Sequence, residues 1–343
     1  MIIDFQRHYV PEELARKRGL YSEKTSFAKA GTMPRLTMHS KLYDIEAQIR
    51  DMDEAGIDVS VLSCLLGWDA PLEDCQFIND KFSELQQKFP GRIAALAHAP
   101  VLEGEVAMKE LDRAIKDLGL HGFTITSQVK GLSLDSPKLY DFYAKACELD
   151  VPVFVHPAML PRGYEFLTDF DLPRILGREV DLSVATTRII AGGILDRFPT
   201  LKFVIGHFGG GISAVKDRLV VKAYRFGTLK RPFNDYFEML YFDLGGFEGG
   251  LTALRCALLG IKPERLVFAS DYPQDFTGVS TDTGKGMESL REYIAAVRRI
   301  EINEELKEGI LGGTAMRLLK FRNAPEFSGK DRSPGVGKEW RHE

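Results

Sequence analysis

The sequence lacks the features that mark membrane proteins and nucleic-acid-binding proteins. In 343 residues no apolar run approaches the roughly 18 residues that a membrane-spanning helix needs. Lys and Arg total 45 against 49 Asp and Glu, so the net charge is −4, and no basic stripe interrupts this balance. Neither nucleic acid nor an anionic membrane is therefore predicted as a partner.

Cysteine is also scarce, and the four that occur are Cys64, Cys75, Cys147 and Cys256. They lie far apart without a C-x-x-C pair, which is typical of free thiols and not of a disulfide framework. The first residues, MIIDFQRH, form a strand-like run and lack the charged and apolar regions of a secretory signal. These features predict a protein of a reducing, cytoplasmic compartment.

What the sequence does contain is a regular alternation of strand-like and helix-like segments, with 44 % hydrophobic residues to fill one large core. The strand-like runs cover residues 2–5, 59–64, 93–97, 122–126, 151–155, 201–205, 240–244 and 266–269. A helical pattern follows each run. Eight such pairs predict an α/β fold of the (β/α)8 TIM-barrel type, with a doubly wound open sheet as the alternative.

The predicted domain organisation is a single barrel over residues 1–321 and a polar C-terminal tail over 322–343, which is rich in Gly and Pro. Three connections, 9–43, 158–182 and 274–286, are longer than usual, and all three follow strands. In a barrel they stand over the carboxyl-end face, where active sites are built. We expect them to supply a lid and substrate specificity; disordered surface loops are the alternative.

One strand, LKFVIGHFGGGI over residues 201–212, ends in His207 among glycines that let the backbone turn sharply and let a molecule approach closely. Taken alone, His207 could equally be a core histidine bonded to a backbone carbonyl. His156 in PVFVHPA and Asp271 in LVFASDYP end two further strands in the same way. Packing gains nothing from polar groups at three carboxyl ends, so their placement indicates a functional site.

The first strand ends in Gln6, Arg7 and His8, and strand alternation puts Gln6 and His8 on one face with Arg7 on the other. With the three strand-end residues above, imidazoles and a carboxylate surround one axial pocket. This donor set suits zinc, manganese or iron and leaves a position open for water or substrate. The sequence therefore predicts a site for one divalent metal ion.

These motifs resemble the amidohydrolase-related enzymes (amidohydrolase family 2), in the branch that contains aminocarboxymuconate-semialdehyde decarboxylase and the resorcylate and carboxyvanillate decarboxylases. The resemblance covers nearly the whole chain. It is carried by Ile3-Asp4-x-x-x-His8-x-x-Pro11, Val155-His156-Pro157, Gly206-His207-x-Gly209-Gly210, Ser270-Asp271-Tyr272-Pro273 and the ILGGTAMRLL segment at 310–319.

The resemblance implies that His8, His156 and Asp271 bind the metal, with His207 as the acid/base and Asp271 as a second catalytic group. Gln6 stands where the family usually has His or Glu, and a neutral amide oxygen is a weaker ligand than either. The fourth strand, GFTIT, offers no lysine to bridge two ions. A mononuclear site is therefore expected, with Gln6 as a weak fourth metal ligand, and the resemblance also implies a homodimer.

Substrate-binding residues are less sharply marked. Arg7, Arg162 and Lys130 are candidates for binding a substrate carboxylate. Trp68 supplies aromatic surface near the long connections, and His98 follows the third strand in AHAP and is expected to line the pocket.

The function predicted first is a metal-dependent lyase that removes carbon dioxide from an aromatic or unsaturated carboxylic acid. The second hypothesis is hydrolysis of a lactone or an amide by metal-activated water. A third is a metal-poor barrel that acts as a non-catalytic partner subunit, for which Gln6 is the only supporting feature. Oxidative chemistry at iron or manganese is a fourth.

Overall fold

A computed structural model describes residues 1–22, 38, 40–167, 169–227, 229–247, 251–274 and 290–321. Within these residues eight parallel strands form the centre of the molecule. They are β1 (Ile3–His8), β2 (Val59–Ser63), β3 (Ile93–Ala95), β4 (Phe123–Thr126), β5 (Pro152–His156), β6 (Lys202–Ile205), β7 (Tyr241–Asp243) and β8 (Leu266–Val267). A two-stranded hairpin, Gln128–Val129 and Leu132–Ser133, follows β4.

The eight strands close into a ring. Strands β1 to β3 pair in sequence, as do β4 to β8, and every pair is parallel. The two groups join at β3 and β4, where Ala97 N donates to Gly122 O at 2.8 Å. They join again at β8 and β1, where Phe5 N donates to Phe268 O at 2.9 Å. The predicted (β/α)8 barrel is thus confirmed, and the open-sheet alternative is wrong because no edge strand is left at either junction.

Helices pack on the outside of the ring. They are α1 (Glu12–Lys17), α2 (Ile45–Ala55), α3 (Leu72–Lys88), α4 (Glu105–Lys116), α5 (Tyr140–Leu149), α6 (Arg178–Ala191), α7 (Ile194–Arg197), α8 (Lys216–Lys222), α9 (Phe233–Phe237), α10 (Leu251–Gly260), α11 (Leu290–Arg298), α12 (Glu304–Glu308) and α13 (Thr314–Leu319). Two π-helical turns, Pro173–Gly177 and Gly309–Gly313, lead into α6 and α13.

Local signals in the sequence explain several helix ends. Asp44 caps α2 by accepting a hydrogen bond from Ala47 N at 2.8 Å, and Gly56 ends that helix with a φ of +78°. Ser136 accepts from Lys138 N and starts a short 3-10 turn that runs into α5, as the Ser-Pro pair predicts.

The hydrophobic core has two layers. A small cluster fills the barrel interior and includes Ile3, Phe5, Val61 and Phe154, together with Leu318 of α13. The larger layer lies between the strands and the surrounding helices. Helix α13 packs on the residues that begin β1, so apolar contacts fill the end of the barrel where the strands begin. Polar side chains gather at the opposite end, where the strands end.

No helix in the described part of the chain is long and apolar enough to cross a membrane. Residues 23–37 and 39 of the predicted 9–43 connection, residues 275–286 of the 274–286 connection, which include Phe276, and the predicted tail at 322–343 lie outside the described residues. The 158–182 connection is described apart from residue 168, and it leads directly into the site.

Candidate metal centre

Three ligand-type side chains converge at the carboxyl end of the barrel. His8 ends β1, His156 ends β5, and Asp271 follows β8. One ligand atom from each lies within 4.8 Å of the other two, and all three residues are buried. We call these three residues the metal triad.

An irregularity in β1 aims Gln6 and His8 into the barrel. Asp4 pairs with Ser60 and Arg7 with Leu62, so three steps along β1 match two along β2, which is a β-bulge. Strict alternation would place Gln6 and His8 on the face opposite Phe5. Because of the extra residue, Phe5 packs in the barrel interior and Gln6 and His8 still face the site.

The two triad imidazoles are held by groups that orient them. His156 Nδ1 lies 2.8 Å from Pro157 O, which fixes the proton on Nδ1 and leaves Nε2 as a lone-pair donor. Burial above all, with the charges of His8, Arg178 and His207, lowers the pKa of His156 well below its usual value. His156 is therefore neutral, the form that binds metal. His8 Nδ1 lies 3.0 Å from Ser63 Oγ.

Asp271 supplies the negative charge of the triad. Burial raises its pKa, but hydrogen bonding from His8 and the charges of His8, His207 and Arg178 outweigh burial and hold the pKa below its ordinary value. The Oδ1 atom lies 2.7 Å from His8 Nε2 and accepts from Gln6 Nε2 at 2.6 Å. Its backbone φ is +55°, a conformation that costs a non-glycine residue about 1–3 kcal/mol and that persists where surrounding contacts fix it.

Gln6 lies beside the triad with its amide nitrogen facing inward. Nε2 lies 2.6 Å from Asp271 Oδ1 and 3.2 Å from His207 Nε2, while Oε1 is buried without a hydrogen-bond donor. A neutral His207 accepts from this nitrogen, whereas an imidazolium requires the amide to turn its oxygen inward. A cation in the triad would favour the same turned orientation.

His207 follows β6 and is held by two carboxylates. Its Nδ1 lies 3.0 Å from Glu179 Oε1, and its backbone N donates to Asp243 Oδ1 at 2.7 Å. Burial lowers the pKa of His207, but the charges of Glu179, Asp271 and Asp243 and the Glu179 hydrogen bond outweigh burial and raise it to about 9. Its Nε2 is 3.8 Å from Asp271 Oδ2, so an imidazole that can exchange a proton lies directly beside the triad.

The glycines after His207 make this arrangement sterically possible. In the turn His207–Gly211, Gly210 has a φ of +65°, and a Cβ at this position would lie 1.7 Å from the carbonyl oxygen of Glu179. Ser183 Oγ also bonds to Gly209 O at 2.8 Å. The start of α6 therefore packs against bare backbone, and this close contact brings Glu179 to the imidazole.

A cavity of about 410 Å³ opens beside the triad. Its lining includes His8, Leu65, His156, Met159, Asp171, Arg174, Ile175, Arg178, Glu179, His207, Gly246, Phe247, Asp271 and Gln274. The volume is that of a small-molecule site. Its polar residues other than the triad and His207 come largely from the 158–182 connection.

Sequence reasoning missed Arg174, Arg178, Glu179 and Asp243. A usable signal was present for two of them, because Arg174 and Arg178 are four residues apart, the spacing that places two side chains on one face of a helix, although both lie in the predicted 158–182 connection. Glu179 and Asp243 carried no such signal, since their role depends on packing between distant segments.

Other predicted substrate-binding residues lie elsewhere. Arg7 is fully buried, donates to Asp4 Oδ2 at 3.1 Å and lies 3.8 Å above the Tyr272 ring. The alternation that points His8 inward points Arg7 outward. Arg162 lines a separate cavity with Gln128 and Asp181, and Lys130 lies 3.6 Å from Glu103.

Trp68 and His98 lie next to the triad but are absent from the lining of its cavity. The Trp68 indole stacks on His156 with ring centroids 4.0 Å apart and donates to Thr124 Oγ1 at 3.0 Å. His98 Nε2 accepts from Cys64 N at 3.0 Å, and burial, its largest influence, lowers the pKa of His98 to about 3. His98 is therefore a neutral histidine bonded to backbone.

The residues present fit a divalent cation. Two imidazole nitrogens and a carboxylate oxygen are the donors that zinc, manganese and iron accept. Gln6 Oε1, which is buried without a donor, would add a further acceptor once the amide turns its oxygen toward the triad.

Comparison with known proteins places the chain among related sequences. The amidohydrolase family matches residues 3–321. The γ-resorcylate decarboxylase of Polaromonas sp. is 29 % identical over 299 residues, which cover 76 % of this chain and 88 % of that protein. The 2-keto-4-carboxy-3-hexenedioate hydratase of Sphingobium sp. is 26 % identical and covers 93 % of this chain and 96 % of its own length.

A solved structure supports the fold. A dihydroxybenzoic acid decarboxylase of Polaromonas sp., with bound manganese and the inhibitor 2-nitroresorcinol, superposes with a TM-score of 0.73 at 24 % identity. The match covers 94 % of this chain and 98 % of that one.

Proposed function

The chain belongs to the amidohydrolase family, and we propose that it is a metal-dependent decarboxylase of an aromatic or unsaturated carboxylic acid. The observation that carries this proposal is the position of His207, which lines the cavity and whose Nε2 lies 3.8 Å from the carboxylate of the metal triad. Decarboxylation needs a cation for the carboxylate and a proton for the carbon that loses it, and the residues that would supply the two lie side by side here.

We propose that His8, His156 and Asp271 hold one divalent ion, with Gln6 as a neutral neighbour. When bound, the ion supplies positive charge that holds the substrate carboxylate and an adjacent oxygen. Manganese is the first candidate because a related structure contains it, and zinc or iron suits the same donors.

The proton step falls to His207. Glu179 holds Nδ1, so the imidazole is fixed with Nε2 toward the cavity. From Nε2 the proton passes to the substrate carbon that bears the carboxylate. The bond from this carbon to the carboxylate then breaks, its electron pair stays with the product, and carbon dioxide leaves. Asp271, which contacts both His8 and Gln6, is the second candidate for proton exchange.

The hydratase relative favours a second candidate, the addition of water across a double bond of an unsaturated carboxylic acid. His207 would then deliver or accept the proton of the added water. Hydrolysis of a lactone or amide would use the same residues, with water as the attacking group.

One experiment separates these reactions. The metal-loaded protein is incubated with a panel of hydroxybenzoates, unsaturated diacids and their lactones, and the products are analysed by mass and by evolved carbon dioxide. We expect loss of carbon dioxide from at least one acid. Gain of water by the substrate without carbon dioxide release would replace decarboxylation with hydration or hydrolysis. Elemental analysis of protein purified without added metal would separately identify a metal-free partner subunit.

A homodimer is also proposed. Leu176, Val180 and Val184 recur at four-residue spacing along α6 and the turn before it, and all three are exposed. Phe166 and Phe170 extend this apolar surface with exposures of 79 % and 85 %. Apolar surface of this extent is typical of a protein interface. Light scattering of the purified chain measures the oligomeric state directly.

The proposed compartment is the cytoplasm, and the proposed domain is a single barrel over residues 1–321. All four cysteines are free thiols, and burial, the main cause, raises the pKa of Cys64 and of Cys75 to about 12, so both are unreactive. Fractionation of cells that express a tagged chain tests the location, and limited proteolysis after residue 321 tests the domain boundary.

A further inference from the structure

Arg178 is a cation that lines the cavity and has no directly contacting counter-charge among the described residues. It is the first residue of α6, its side chain lines the cavity beside the metal triad, and its Nε is buried without an acceptor. It makes no hydrogen bond or ion pair among the described residues, whereas Arg188 on the same helix bonds Asp135 at 2.8 and 2.9 Å. A guanidinium stays charged at every physiological pH, so its partial burial without an anion is unfavourable.

Each carboxylate around the cavity contacts a side chain other than Arg178, and only Glu179 Oε2 among their buried oxygens has no hydrogen-bond donor. Glu179 bonds His207, and Asp171 lies 3.7 Å from Arg174. Asp271 accepts from Gln6 and contacts His8. None of them lies within 4.0 Å of the Arg178 guanidinium, so the missing partner is not one of these side chains.

We infer that Arg178 binds a second anionic group of the substrate, which makes the substrate a dicarboxylic acid. The inference rests on the proposed function, in which the first carboxylate lies at the metal triad. Planar carboxylates match the two parallel N–H groups of a guanidinium. The cavity of about 410 Å³ has room for a ring or a short chain that carries both groups.

The test measures binding of two inert acids to the metal-loaded full chain by calorimetry. Benzoate carries one carboxylate, and isophthalate carries a second one across the same ring. We expect isophthalate to bind more tightly than benzoate to the wild type, and Arg178→Gln to weaken isophthalate binding by about 10- to 100-fold. Benzoate affinity should change less than about twofold, because no hydrogen bond to Arg178 is lost.

Two further variants sharpen the result. Arg178→Lys keeps the charge without the planar fork and should recover part of the isophthalate affinity. Arg188→Gln removes an arginine of the same helix whose partner lies outside the cavity and should leave both affinities unchanged.

Three outcomes overturn the inference: no preference for isophthalate in the wild type, equal loss for both acids in Arg178→Gln, or no binding of either acid. Equal loss would place Arg178 at the carboxylate shared by both acids. Because the measurement needs no turnover, absence of carbon dioxide release would refute only the reaction, and the binding result would stand.

Discussion

The ends of β6 and β3 each carry a buried histidine, and the two differ in every respect that matters for chemistry. His207 and His98 are exposed by 2 % and 1 %. Burial dominates at His98 and lowers its pKa to about 3, whereas Glu179, Asp271 and Asp243 overcome burial at His207 and raise its pKa to about 9.

The difference lies in the partners and not in the position along a strand. His98 accepts from a backbone N–H and faces apolar side chains, so it can only be neutral. His207 has a carboxylate on Nδ1 and a cavity beside Nε2, so it can hold a proton and pass it on. A buried histidine becomes functional where a counter-charge and an open face occur together.

The largest effect should follow from substitutions in the metal triad, which lies beside His207 at the end of β6. His156→Ala and Asp271→Ala each remove one of three ligand residues, and bound metal should fall well below one ion per chain, with loss of turnover. Elemental analysis after dialysis measures this. Unchanged metal content in both variants would refute the assignment.

His207→Ala should come next. The three triad ligands remain, so metal content should be retained while the rate falls by about 10² to 10⁴, which is the usual contribution of a positioned acid or base. Steady-state kinetics and metal analysis on the same preparation test this. Loss of metal together with the activity would make His207 a ligand.

Glu179→Gln tests the counter-charge itself. A glutamine oxygen still accepts from His207 Nδ1 but carries no charge, so we expect kcat to fall by about 10- to 100-fold with metal content and KM nearly unchanged. Glu179→Asp should recover part of the rate. If kcat were insensitive to both changes, the charge of Glu179 would have no part in the difference between the two histidines.

Among the residues that the structure describes, Gln6 is the one neutral amide that contacts both Asp271 and His207. Gln6→Glu adds a negative charge and Gln6→His adds a stronger nitrogen donor, so each should raise metal affinity by on the order of tenfold. Turnover should fall severalfold, because either replacement changes the charge or the hydrogen-bonding capacity of the group that lies 3.2 Å from His207 Nε2. Metal titration decides, and affinities equal to the wild type would place Gln6 outside the coordination shell.

The smallest effect on activity is expected at the β3 end. His98→Gln removes the ring that accepts from Cys64 N and should lower the free energy of unfolding by about 1–3 kcal/mol. Turnover should stay within about twofold, since no charge in the cavity changes. Denaturant melts and kinetics test this together, and a large loss of rate in a stable variant would remove the contrast with His207.

Much of this arrangement follows from the sequence. Apolar runs of strand length fix the eight strands, and carboxyl-end placement brings His8, His156, His207 and Asp271 together. The same rule also selected His98, whose side chain is absent from the cavity lining, because a strand end does not reveal which way the following side chain turns.

The rest depends on contacts between segments far apart in the chain. The bulge in β1 keeps Gln6 and His8 facing inward, and sequence alternation cannot place it. Arg178 and Glu179 reach the cavity only because α6 packs on the glycine turn, a contact that the sequence of neither segment encodes alone. Arg7, predicted to bind substrate, instead pairs with Asp4 three residues earlier.

The stack of Trp68 on His156 gives the site an optical property of its own. The chain contains only two tryptophans, and the other, Trp340, lies outside the described residues. An indole 4.0 Å from an imidazole is in electronic contact with it, so its fluorescence responds when that ring changes charge or gains a paramagnetic neighbour such as Mn²⁺. Once Trp340 is replaced by phenylalanine, the emission of Trp68 reports whether His156 carries a metal ion or a proton.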